Sequence, residues 1–165
     1  MGALSGQAEW GLTNYIRSLG LEPEDGGMFV CHSQSGKGEA RLQVPKLNLG
    51  GFNAPTLTFL LYRYQNAAGK LSVKVTADDK AYTEVYSANT ASFLPGWTVC
   101  KVNLAQYKDY PWIAIVFDGA VSNGSDYVII DNMAVANESE FDAKLESIKG
   151  VRRPVVGESE NYTVV

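Results

Sequence analysis

Clustered positive charge is missing from this chain. Lysine and arginine number 14 against 18 acidic residues, and the longest basic run is Arg152-Arg153. Nucleic-acid binding needs a concentrated basic footprint, so no such partner is expected. Long apolar runs are also missing. A stretch such as Trp112 to Phe117 is far too short to span a bilayer, so no membrane insertion is expected. No basic-plus-apolar signal peptide opens the chain. Met1-Gly2 reads as an added start, which leaves secretion open. There is a single histidine, His32. A triad or dyad would need it beside a nucleophile; Cys31 adjoins it in sequence, but successive strand residues point to opposite faces. Ser35-Gly36-Lys37-Gly38 lacks the residue order of a phosphate-binding loop. No carboxylates form a recognisable glycosidase pair, so no catalytic residue is expected. Two cysteines, Cys31 and Cys100, cannot define a disulfide framework and match no zinc motif. A bridge between them and a pair of buried thiols are the two readings, with the thiols favoured.

What is present is alternation. Ala40, Leu42 and Val44 alternate with Arg41 and Gln43; Leu71, Val73 and Val75 alternate with Ser72, Lys74 and Thr76. Strands are also expected at Met28–His32, Leu57–Tyr64, Tyr82–Tyr86, Val99–Leu104, Trp112–Phe117 and Tyr127–Val135. Polar or glycine-containing turns separate them, one of them at Ser33–Gly38. About eight short strands with turns roughly every ten residues predict an all-β fold, two antiparallel sheets packed face to face. Residues 1–27 are ambiguous. Leu12, Tyr15, Ile16 and Leu19 have helical spacing, whereas Trp10–Asn14 also reads as a strand. After Val135 the character changes. A helix over Phe141–Ile148 competes with a linker followed by strands at Ala143–Ile148 and Asn161–Val165. The second reading is preferred, which divides the chain into a domain over residues 1–136 and, over 137–165, a linker with the start of a truncated downstream β domain of immunoglobulin-like type.

One residue breaks the alternation. Tyr127, Ile129, Asp131, Met133 and Val135 fall on one strand face, and a carboxylate among apolar neighbours needs a cation or hydrogen-bond donors.

Taken together, GEARLQVPKLNL, PTLTFLLYRYQNAAGKLSVKVTADDKAYTEV, GWTVCKVNLAQYKDYPWIAIVF and DYVIIDNMAV resemble, in order and spacing, the cleaved-adhesin and MAM-like jelly-roll domains of secreted and surface proteins. The resemblance covers about residues 28–136. The MAM cysteine pattern is not evident, which favours the bacterial, Bacteroidetes-type branch. It implies a jelly-roll sandwich of the galactose-binding or concanavalin-like kind, secreted or at the cell surface, and adhesive rather than catalytic. Its expected partners are a glycan or a host or matrix protein, together with neighbouring domains of the same chain. It also implies a structural calcium, with Asp131 as a ligand and Glu24, Asp25 and Glu9 as candidate partners. The alternative for Asp131 is that it accepts backbone N–H bonds. Asp118, Asn123 and Asp126 read as one loop, either a second oxygen cluster or plain turn formers.

Carbohydrate contact uses aromatic faces with polar neighbours that fix orientation. Tyr62, Arg63 and Tyr64 form one such group. Trp97, Tyr107, Tyr110 and Trp112 form another, although Trp97 and Trp112 also suit packing. Tyr62 and Tyr64 share a face with Leu60, which leans toward the core, and Tyr82 is placed on an outer face. The expected function is a non-catalytic adhesion or carbohydrate- or protein-binding module. A spacer accompanying a peptidase or other secreted enzyme is the rival, and a hydrolase with an unrecognised site is the second.

Overall fold

The computed structural model describes residues 2–13, 21, 27–64, 68–138, 148–149 and 163–164. Eight strands build the body: β1 (Gly2–Thr13), β2 (Met28–Gln43), β3 (Pro55–Arg63), β4 (Lys70–Thr76), β5 (Thr83–Asn89), β6 (Gly96–Asn103), β7 (Ala114–Val121) and β8 (Val128–Asn137). Every pairing among them is antiparallel. Thus β1 is a strand, as the Trp10–Asn14 reading expected, and it begins well before Trp10. Short 3-10 turns at Thr90–Ser92 and Ala105–Tyr107 follow β5 and β6. Two further short strands, β9 (Ile148–Lys149) and β10 (Thr163–Val164), pair with each other in a separate sheet. The helix considered over Phe141–Ile148 falls mostly outside the described residues.

Hydrogen bonding runs continuously in the order β5-β4-β7-β2-β8-β3-β6, with β1 beside β2. The path folds over at β2. Its first half, Phe29–Cys31, pairs with β8, whereas its second half, Gly38–Gln43, pairs with β7. One strand therefore serves two sheets, as at the corner of a sandwich. We call β5-β4-β7-β2 the front sheet and β2-β8-β3-β6 the back sheet. This corrects the sequence reading, which places a turn at Ser33–Gly38 between two strands. The polar residues there are the corner itself. Register against β1 jumps from Ala8–Ser33 to Gly6–Gly38, and Gly36 has φ +127°, a backbone that side-chained residues rarely adopt.

The core lies between the sheets. Leu42, Leu71, Val73, Val75, Ile115 and Phe117 point back from the front; Leu57, Phe59, Leu61, Cys100, Val102 and Ile130 point forward. Phe59 stands at the centre, packed edge-on against both Phe117 and Tyr86 with ring centroids 5.5 and 5.6 Å apart, the geometry that the ring quadrupole favours. Cys31 and Cys100 are free and buried. Burial pushes the Cys31 thiol up to about 12. Trp10 of β1 seals one side, its indole N–H donating to the Ala40 carbonyl at 2.9 Å. Gly119 makes room for it: a Cβ there would sit 2.8 Å from Trp10 Cζ2 and from Cys31 Sγ. Among the described residues, no helix is long and apolar enough to cross a membrane.

Candidate functional site

The outward faces of the two sheets differ in character. On the front sheet, antiparallel register aligns outward residues in transverse rows. One row is Arg41, Asp118, Ser72 and Ser87; the next is Glu39, Ala120, Lys70 and Asn89. These small and polar residues floor and wall a groove of about 470 Å³, with Leu4 of β1 and Glu84 of β5 at its margins. A second cavity of about 230 Å³ adjoins it, shares Glu39, Lys70, Asn89 and Ala120, and continues to Lys37 and Ser122.

Asp118 organises this groove. Arg41 Nε and Nη2 donate to its two oxygens at 2.7 Å each, and Lys74 Nζ donates to Oδ2 at 2.8 Å. The three residues come from β2, β7 and β4, which are adjacent only because of the sheet order. Burial alone would raise the Asp118 carboxyl, but the hydrogen bonds and charge of Arg41 and Lys74 outweigh it and hold the carboxyl below its usual range. The Arg41 guanidinium is bound in return, and its ionised form is further stabilised by Asp118. It also lies 4.3 Å over the Tyr82 ring, a cation–π contact. Ser72 Oγ donates to Glu84 Oε2 at 2.5 Å. The groove carries three cationic side chains, Arg41, Lys70 and Lys74, and three acidic ones, Glu39, Glu84 and Asp118. It is polar, internally paired and electrically balanced.

The back sheet places the other expected ligand residues together, but on an apolar patch. Leu57, Phe59 and Leu61 take the inward positions of β3, so Leu60 and Tyr62 face outward, not toward the core as the sequence reading leaned. Tyr62 packs edge-on against Trp97 at 4.9 Å. Both rest on a second hydrophobic cluster of Leu21, Met28, Val30 and Ile129. Arg63 donates to the Phe93 carbonyl, and Tyr64 lies half-buried just past β3. Of the expected ligand residues, only Tyr82 adjoins the front groove, through its contact with Arg41. Of the remaining aromatics, Tyr107 and Tyr110 lie 6.1 Å apart, and Trp112 carries Lys46 over its ring at 3.6 Å.

Asp131 is 2 % exposed. The expected face does not run unbroken through it. Asn132 has φ +49°, and register against β3 shifts between Thr58 and Leu60, which is a β-bulge. Tyr127 and Ile129 pack with the back-face cluster, whereas Met133 and Val135 pack against the main core. Asp131 ends the outer-facing run, and its Oδ1 accepts the Asn132 N–H at 2.7 Å. Glu9, aligned with His32, stands two strands away and about 13 Å along the sheet from it. The structure does not bring Glu9 and Asp131 together. Glu24 and Asp25 lie outside the described residues. Among the described residues, no three His, Cys, Asp or Glu side chains gather to hold a metal ion. The second oxygen cluster does not form either. Asp118 is in a strand, and Asp126 ties its loop by accepting the Ala68 and Ser122 N–H groups at 3.1 and 3.0 Å.

No family model and no curated relative matches this chain. Solved structures do. The K1 cleaved adhesin domain of Lys-gingipain from Porphyromonas gingivalis W83 superposes with a TM-score of 0.60 at 14 % identity, over 83 % of this chain and 94 % of that one. The fold is a cleaved-adhesin-like jelly roll. This jelly roll is also shared with TmCBM61, solved with β-1,4-galactotriose, at a TM-score of 0.57 and 12 % identity over 80 % and 88 % of the two chains. A structure of carbohydrate-binding modules from the β-sandwich superfamily matches at 0.53 and 16 % identity, over 80 % of this chain; this chain spans only 55 % of the length of that one.

Proposed function

We propose that this jelly roll is a non-catalytic, extracellular carbohydrate-binding module and that the front groove is its glycan site. The observation that carries this reading is the groove itself. It is a pre-formed concavity on an outer sheet face, floored by small side chains and walled by polar groups held in place by one another. Fixed donors and acceptors recognise sugar hydroxyls at low ordering cost. The balanced charge suits a neutral glycan. The fold supports the reading, since carbohydrate-binding modules share it.

The chemistry of Asp118 supports binding over hydrolysis. A glycosidase acid needs a raised pKa so that it is protonated at neutral pH. Asp118 is shifted in the opposite direction, and both of its oxygens are engaged.

The test is a glycan array followed by calorimetry on two variants. Ser87 is exposed on the groove side, so Ser87→Trp fills the groove without entering the core. Val99 is 60 % exposed on the back sheet, so Val99→Ser serves as the control. Ser87→Trp is expected to lose at least about tenfold in affinity, equivalent to 1.4 kcal/mol, while Val99→Ser binds as wild type. Equal binding by all three proteins, or binding by none, would reject the groove as a glycan site.

A further inference from the structure

The front groove has unlike ends. Ala114 and Val116 face outward in β7, between β4 and β2, yet both are fully buried, as is Thr76 beside them in β4. Something covers the sheet at that end. Arg41 comes from β2 and Tyr82 from the chain entering β5, with β7 and β4 between them. Strands lie about 4.8 Å apart, so the two side chains meet at 4.3 Å only by lying across those strands. Arg41 cannot swing away cheaply, because Asp118 grips its guanidinium by two hydrogen bonds. The stacked pair is therefore a fixed bar over one end. At the other end the outward residues are Ala120, half-buried, and Ser87 and Asn89, exposed, and the second cavity, which shares Glu39, Lys70, Asn89 and Ala120 with the groove, lies next to it beside Lys37 and Ser122.

From this asymmetry we infer that the groove takes the end of a glycan chain, not its interior. This rests on the glycan reading above. A terminal sugar seats against the Arg41–Tyr82 bar, where the paired charges present their edges, and following sugars leave along the strands over Ala120 toward Lys37. A chain passing straight through would have to displace the bar.

Stoichiometry tests it. A short array hit and its parent polymer are titrated against the module by calorimetry, β-1,4-galactotriose and polymeric β-1,4-galactan being the first pair. One module per chain, with the polymer capturing fewer modules at equal mass in proportion to its scarcer ends, is the expected result. Several modules per polymer chain, at an affinity equal to the short ligand's, would overturn end recognition and leave the glycan site standing. Absence of binding to every array glycan would overturn both. Tyr82→Ala provides the second reading. Opening the bar is expected to raise the number of modules bound per polymer chain, with galactotriose affinity falling several-fold. A variant that melts like wild type and leaves both quantities unchanged would show that the pair bars nothing.

Discussion

At the scale of single residues, three charges decide the character of the front face. Arg41 and Lys74 read in sequence as outward polar positions in alternating strands, and the structure places them so. Asp118 reads as part of a loop with Asn123 and Asp126, whereas it lies inside β7. Nothing local says that they meet, because pairing across β4, β7 and β2 depends on strand order. The trio has a defined pH response. The folded carboxyl of Asp118 lies below its unfolded value of about 3.9, so its contribution is complete above that value and is lost as pH falls through the folded pKa. Glycan affinity and melting temperature should hold steady from neutrality to about pH 4, then fall together. In Asp118→Ala the acid-side loss should be smaller, since the variant starts without the pair and is already less stable by about 2 kcal/mol. A titration of melting temperature against pH for both proteins checks this, and parallel curves would refute it. Asp131 teaches the complementary lesson. Its burial is legible from its neighbours, but the bulge that turns Met133 and Val135 to the core is not.

At the scale of elements, what the sequence reveals and what it conceals separate cleanly. Strands that alternate, such as β4 and β6, are visible because one face meets the core and the other meets water. Tyr62 and Trp97 mislead, because the outer face of the back sheet carries its own apolar cluster and looks like interior. Strand β2 misleads differently: glycine and serine spell a turn, while the strand runs on through an irregular stretch there and changes partners. Gly119 is a signal that could have been used, since glycine inside a strand marks a close approach. Gly119→Ala should destabilise by about 1–3 kcal/mol, because the added methyl meets Trp10 and Cys31 at 2.8 Å. Denaturant unfolding would measure it. A cost near zero would mean that Trp10 can yield.

At the scale of the whole molecule, the boundary after Ala136 is a proposal with a structural refinement. The Asn137 side chain accepts the N–H groups of Asn53 and Ala54 at 2.8 and 3.0 Å, and the Glu138 N–H donates to Ala54 at 2.8 Å. A fragment ending at Glu138 should therefore unfold cooperatively, with a midpoint close to that of the full chain. One ending at Ala136 should be less stable by about 1–2 kcal/mol. Failure of the longer fragment to fold would mean that residues 139–165 are part of the jelly roll. The shared strand β2 carries one last consequence. A sandwich held only by side-chain contact can let one layer open while the other persists. Here a single covalent backbone is hydrogen-bonded into both layers, so the layers can part only by breaking a β-ladder, at β2–β7 or at β2–β8. Amide hydrogens of Leu42 in the front and Val30 in the back should then exchange with solvent only through one common opening, at a single free energy.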